Sequence, residues 1–152
     1  MQLQNVTLPQ KSLGDYASIS GRALIDEIRS LAAPLQGKRV LHLSATAFGG
    51  GVAEINYTLI PLMADAGLQV EWRIIHGQEE FFNVTKAIHN GLQGDPHDLA
   101  EADREAYLAT SARNAELLGD GWDFVVVHDP QPAAVLPLHG KDGARWIWRC
   151  HI

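Results

Sequence analysis

Arg39-Val40-Leu41-His42-Leu43-Ser44-Ala45-Thr46-Ala47-Phe48-Gly49-Gly50-Gly51-Val52-Ala53-Glu54 is a short apolar run that breaks on three glycines and resumes with helical spacing. It reads as a strand over 38–44, a tight turn and the start of a helix. Glycine suits such a turn because it reaches positive φ cheaply and lets backbone N–H groups approach a ligand with no Cβ in the way. A helix starting there would aim its unpaired N–H groups and positive dipole end at the same spot, which favours an anion such as a phosphate. The run matches neither the GxGxxG dinucleotide fingerprint nor a phosphate loop ending in Gly-Lys-Ser/Thr. By itself the glycine triplet leaves both a plain turn and a ligand loop open.

Upstream, residues 1–18 show no clear period and read as an N-terminal extension along the body of the domain. From Ser20 a helical pattern runs through Leu24, Ile25, Ile28, Leu31 and Ala32, with Ser20 as its cap and Pro34 and Gly37 ending it. Downstream of the glycines, Val52, Ile55, Leu59, Leu62 and Met63 continue a helix that Gly67 stops. Pro61 inside it removes a backbone hydrogen bond and predicts a kink near Tyr57. Val70 to His76 alternates, as a strand near the edge of a sheet does.

Residues 77–97 are the least regular stretch and read as a long connection, a binding loop or lid. Phe81 and Phe82 either take part in it or anchor it to the core. A long helix is expected over 98–118 with Leu99, Ala102, Ala106, Ala109 and Ala112 on one face and Gly119 at its end. Its acidic start suits the helix dipole. Trp122 to His128 forms a second buried strand, and Asp129-Pro130-Gln131-Pro132 bars it from continuing. Ala133 to Leu138 makes a short helix, and Arg145 to Ile152 a last strand.

With 152 residues the chain fits one domain, and 46% hydrophobic with 20% charged residues is ordinary for a globular protein. A net charge of −6 argues against nucleic acid or an anionic membrane as partner. No apolar run is long enough to span a membrane and the N-terminus lacks a secretion-signal pattern, so a cytoplasmic location is expected. The one cysteine, Cys150, excludes an internal disulfide and reads as a small buried apolar residue. No His and carboxylate spacing calls for a metal.

Alternating strands and helices imply right-handed crossovers and a mostly parallel sheet with helices on both faces, an α/β architecture. With the first strand central, the order second-first-third-fourth places a topological switch point between the first and third strands, where such sheets bind ligands. Gly49-Gly50-Gly51 follows the first strand and His128-Asp129 the third. The fourth ends in Arg149 and His151, whose spacing of two puts them on one face. Each has a plain reading as turn former, hydrogen-bonded histidine or surface ion pair. Taken together, the anion-friendly turn, carboxylate and cationic pair suit sugar transfer from a nucleotide donor. Hydroxyls need directional carboxylate and imidazole partners, and a leaving diphosphate needs N–H donors and cations.

Four motifs carry a family resemblance: Ser44 to Glu54, Glu80 to Gly94, His128-Asp129-Pro130-Gln131-Pro132, and Trp148-Arg149-Cys150-His151-Ile152. They resemble the trehalose synthases of the glycosyltransferring type and the related retaining trehalose phosphorylases, from about Tyr16 onward. The resemblance implies that 19–152 is the Rossmann-like amino-terminal half of a GT-B glycosyltransferase. It implies donor-phosphate binding by Gly49, Gly50 and Gly51, and sugar binding by Asp129 and His151, with Arg149, Lys86, His89 and Asn90 in the family motifs. It assigns no catalytic nucleophile and requires no cofactor, the donor being a nucleotide-glucose. The family continues well beyond residue 152, in the half that supplies most nucleotide contacts. This chain alone is therefore expected to be inactive, with Trp146, Trp148 and Phe82 uncovered and driving homo-oligomers. A stand-alone sugar- or phosphate-binding module is the alternative; a dehydrogenase or phosphatase is disfavoured by the missing fingerprint and acidic metal cluster.

Overall fold

The computed structural model describes residues 2–96 and 98–151. The end of the expected last strand, Ile152, lies outside the described residues, as do Met1 and His97.

Five strands make one sheet in the order β1-β3-β2-β4-β5. They are β1 (Gln4–Asn5), β2 (Arg39–Ser44), β3 (Gln69–Ile74), β4 (Phe124–His128) and β5 (Arg145–Arg149). β2 to β5 are parallel to one another, in the expected order, and β1 adds an antiparallel edge to β3. The central β2 is buried from Val40 to Ser44, as a strand covered on both faces must be. The fold is therefore a Rossmann-like α/β sheet with helices on both faces.

The helices are α1 (Ala17–Ser20), α2 (Arg22–Ala32), α3 (Gly50–Asp65), α4 (Glu79–Leu92), α5 (Glu101–Glu116) and α6 (Val135–His139). On one face of the sheet Leu41, Leu43, Val125 and Val127 pack with Phe81 of α4, Ala115 of α5 and Val135 of α6, together with Leu118. On the other, Trp72 and Ile74 pack with Ala53 and Ile60 of α3 and with Ala47.

Several expectations need correction. Most of the stretch expected to be irregular is helical. Glu79–Leu92 is a helix whose Phe81 is buried and whose Phe82 packs against the core, so the pair serves as an anchor. Ser20 does not cap α2; it ends α1, where its hydroxyl donates to the Tyr16 carbonyl, and Gly21 at φ 85° starts α2. The buried face of α3 is Ala53, Asn56, Ile60 and Pro61, one position out of phase with the expected stripe. α5 buries Ser111, Asn114 and Ala115 rather than its alanine stripe; Leu99, before the helix, is exposed. Apolar spacing misplaced both faces because buried Asn and Ser side chains do not register as apolar. Cys150 is exposed, not buried, because β5 is an edge strand. Trp148 is exposed as expected, whereas Trp146 packs against the core.

The segment before α1 is tied down. Leu3 and Leu13 are buried, Val6 N–H donates to the Trp72 carbonyl, and the Leu13 N–H donates to the Asp65 carboxylate at 2.9 Å. Among the described residues no helix is long and apolar enough to cross a membrane.

Candidate functional site

Beyond β2 the chain turns through a self-bonded loop. The Ser44 hydroxyl donates to the Thr46 carbonyl at 3.2 Å and accepts from the Trp72 indole at 2.8 Å. Thr46 Oγ1 accepts from the Phe48 N–H at 3.0 Å. Gly49 and Gly50 then take φ of 72° and 77°, a conformation that side chains resist, and α3 begins. Among the described residues no side chain caps α3, and no acidic residue sits in its first turn, whereas α4 and α5 begin with Glu79, Glu80 and with Glu101, Asp103. The start of α3 thus keeps its dipole unneutralised and its first N–H groups without a side-chain acceptor.

The end of β4 is equally constrained. Asp129 sits at φ 67°, a left-handed conformation that Asp tolerates better than most side chains. Its N–H donates to the Arg149 carbonyl, its own carbonyl accepts from the Trp148 indole, and its Oδ1 accepts from the His151 N–H at 2.7 Å. The Tyr107 hydroxyl of α5 donates to the Pro130 carbonyl at 2.8 Å and accepts from the Ala134 N–H, clamping the following turn. Burial raises the pKa of that phenol, so it stays protonated as the donor.

Three imidazoles run along the α3 side of the sheet. His42 Nδ1 lies 3.0 Å from His128 Nε2, and His128 Nδ1 lies 3.0 Å from His151 Nε2. Parallel register explains the alignment. His42 faces Val126 across the ladder and His128 faces Arg149, so His42 and His128 share one face; β5 ends at Arg149, short of the expected strand, and His151 meets His128 from beyond it. Burial, helped by the nearby Arg149 charge, lowers His42 to about 4. Burial, followed by His42, His151 and Arg149, lowers His128 to about 3. Both are neutral at physiological pH.

Gly49, Gly50, Gly51 and Asp129 line one cavity of about 250 Å³ at the carboxyl ends of β2 and β4, together with Ser44, Thr46, His128 and Gln131. Neither His151 nor Arg149 lines it: His151 is bonded to the lining residues Asp129 and His128, and Arg149 lies beside His128 on β5. Lys86, His89 and Asn90 are not brought here. They lie on α4, which packs with α5 across the sheet, and none lines the cavity. Larger hollows of about 610 and 580 Å³ lie under the N-terminal segment and beside the start of α4, and neither the glycine turn nor Asp129 lines them. Among the described residues no group of three or more His, Cys, Asp or Glu is placed to hold a metal ion. The three imidazoles spend their facing nitrogens on each other rather than converging on a point.

Sequence reasoning missed His42 and Tyr107. His42 was hidden inside an apolar strand, although its phase two residues before Ser44 is the signal that would have found it. Tyr107 acts from a helix far from any motif.

Residues 42–152 match the family model for the N-terminal domain of trehalose synthase. The chain is 55% identical over 155 residues to a trehalose synthase of Rubrobacter xylanophilus, covering 99% of this chain and 37% of the relative. It is 43% identical over 145 residues to a trehalose synthase of Pyrococcus horikoshii, covering 94% and 35%. A trehalose phosphorylase of Pleurotus pulmonarius is 29% identical over 155 residues, covering 92% and 21%. The chain spans about a third of the length of the trehalose synthases it matches.

Proposed function

Since the chain belongs to the trehalose synthase N-terminal-domain family, we propose that it is one half-site of a retaining GT-B transferase that moves glucose from a nucleotide-glucose onto glucose. The observation that carries this reading is the cavity shared by the glycine turn and Asp129 at the switch point between β2 and β4. N–H groups at the start of α3 suit the donor phosphates, and the Asp129 carboxylate suits sugar hydroxyls. Its volume of about 250 Å³ is below the roughly 300–1,000 Å³ of sites that enclose a drug-sized ligand. A site of that size agrees with one completed by further protein.

The polar groups divide by what each can do. In a front-face transfer the leaving phosphate helps deprotonate the acceptor while the uncapped α3 terminus stabilises the charge developing on it. Asp129, fixed by its bonds to His151 and Arg149, orients the sugar without being consumed. On this reading the chain alone does not turn over.

Calorimetric titration of the 152-residue chain with glucose, trehalose, UDP-glucose and ADP-glucose tests the proposal. Binding of a sugar or nucleotide-sugar that weakens about tenfold, some 1.4 kcal/mol, in Asp129→Asn is expected. Asn tolerates the left-handed backbone and still accepts from His151, so the fold is not at issue. Binding that ignores the substitution, or no binding by any of the four, overturns the assignment. Trehalose formation by the chain alone overturns the half-site.

A further inference from the structure

We infer that His128, backed by His42, is a positioning residue that locks the His151 imidazole in its Nδ1–H tautomer, a fixed hydrogen-bond donor beside the cavity-lining His128 and Asp129. The geometry carries the inference: three rings joined nitrogen to nitrogen at 3.0 Å, with centroids 5.3 Å apart at each step and planes tilted by only 24° and 26°.

Each inner ring is neutral and holds one proton, so only two arrangements satisfy both contacts. In the first, His42 Nδ1–H donates to His128 Nε2, and His128 Nδ1–H donates to His151 Nε2. The proton of a neutral His151 must then sit on Nδ1, the nitrogen that the chain of rings does not use. In the second, every bond reverses, His151 donates from Nε2, and His42 must carry its proton on Nε2.

That last atom decides between them. His42 is 2% exposed, and its Nε2 is buried with no hydrogen-bond partner among the described residues. Asn56 of α3, whose amide atoms are likewise buried and unpaired, does not bond to it. The second arrangement buries an orphan N–H there, whereas the first buries only an unused lone pair, the less costly of the two. The chain also has no exit at His42, so it cannot conduct a proton through the sheet. It fixes a tautomer instead, in the way that a second hydrogen bond fixes which nitrogen of a histidine is available.

The other groups facing these rings favour the same state. Arg149 on β5 opposes a second proton on either inner ring. The Asp129 carboxylate takes the His151 backbone N–H and not its ring, so it anchors the residue without competing for the ring proton. Trp72, in register with His42, sends its indole N–H to Ser44 and leaves the histidines to one another.

What the donor meets rests on the proposed sugar site, but the tautomer is read with no ligand present, so the two readings fail separately. Nitrogen NMR of the chain with ¹⁵N-histidine at pH 7.5 is the experiment. Nδ1 protonated and Nε2 bare is expected for all three rings, with one-bond couplings that show no exchange. In His128→Leu, His151 loses the donor at its Nε2 and relaxes to the mixed tautomers of a free imidazole. In His42→Phe, by contrast, the buried Nε2 of His128 stays bare because a proton there would be an orphan donor, and His151 keeps its proton on Nδ1. Where His128→Leu does not fold, His128→Asn, whose amide N–H can donate to His151 Nε2, makes the comparison, with the lock retained. Nε2–H on His151 in the unsubstituted chain, a His151 spectrum that His128→Leu leaves unaltered, or mixed His151 tautomers in His128→Asn overturn the inference.

Discussion

On the α4–α6 side of the sheet, Leu41 and Leu43 of β2 and Val125 and Val127 of β4 meet Phe81, Leu118 and Val135. On the α3 side the same two strands bury His42, Ser44 and His128 and end at a cavity. Alternation along a strand makes this division possible, since neighbouring residues of one backbone serve opposite faces. On the first face the side chains of these two strands are apolar and return burial with no polar group of their own to satisfy. The second gives up part of that gain to bring imidazole, hydroxyl and carboxylate groups to the carboxyl ends of the strands. The difference teaches that stability and site are separable here by the parity of a residue in β2 or β4.

Acid should break the symmetry most. His42 and His128 have folded pKa values of about 4 and about 3, below the ordinary 6.5. Above pH 6.5 both states are neutral and nothing is lost. As the pH falls below 6.5 the unfolded chain binds these protons and the folded chain does not, so stability drops until the folded values are passed. At 1.36 kcal/mol per unit, each ring costs about 2 kcal/mol by pH 5, where most carboxylates are still ionised. Urea unfolding at pH 7.5 and 5 should therefore differ by about 4 kcal/mol from this pair. The doubly substituted His42→Asn, His128→Asn chain should lose most of that difference; an unchanged slope would show that the α3 face carries no such burden.

Leu41→Ala is the counterpart on the filled face. Leu41 is fully buried, and removing its side chain should cost about 3 kcal/mol, within the ~2–5 observed for such changes. That cost should be the same at pH 7.5 and pH 5. A loss that grows in acid would mean that the two faces are coupled.

The same parity explains what could be read from the sequence. The strand order and the switch point followed from apolar runs separated by helical spacing, and the turn and β4 end were marked by glycine and Asp-Pro, whose backbone demands are local. β1 was invisible because two residues carry no period. The helix at Glu79–Leu92 was obscured because Gly91 and the polar run Asn83, Thr85, Lys86 suggested a loop, while Phe81 and Val84 are held by tertiary packing. The placing of Lys86, His89 and Asn90 away from the cavity depends on which face of the sheet α4 covers, and no local pattern encodes that. His42 required knowing which residues of β4 and β5 stand beside it.

The finest test separates backbone from ligand within a single turn. At Gly50, φ is 77°, and alanine there should cost about 1–2 kcal/mol from left-handed strain alone. Gly51, one residue on, has no such φ, and a Cβ built on it meets nothing within 4 Å, yet it lines the cavity. Gly51→Ala should therefore leave the stability to urea unchanged or raise it by up to about 1 kcal/mol, since alanine is the better helix former. Affinity for a nucleotide-glucose should nonetheless fall about tenfold, or 1.4 kcal/mol, because the added methyl stands between the ligand and the first N–H groups of α3. Calorimetry on the two variants reads both effects at once. If Gly51→Ala binds as the unsubstituted chain does, the phosphates do not approach this backbone, and the open space at the start of α3 is only the outer wall of a turn.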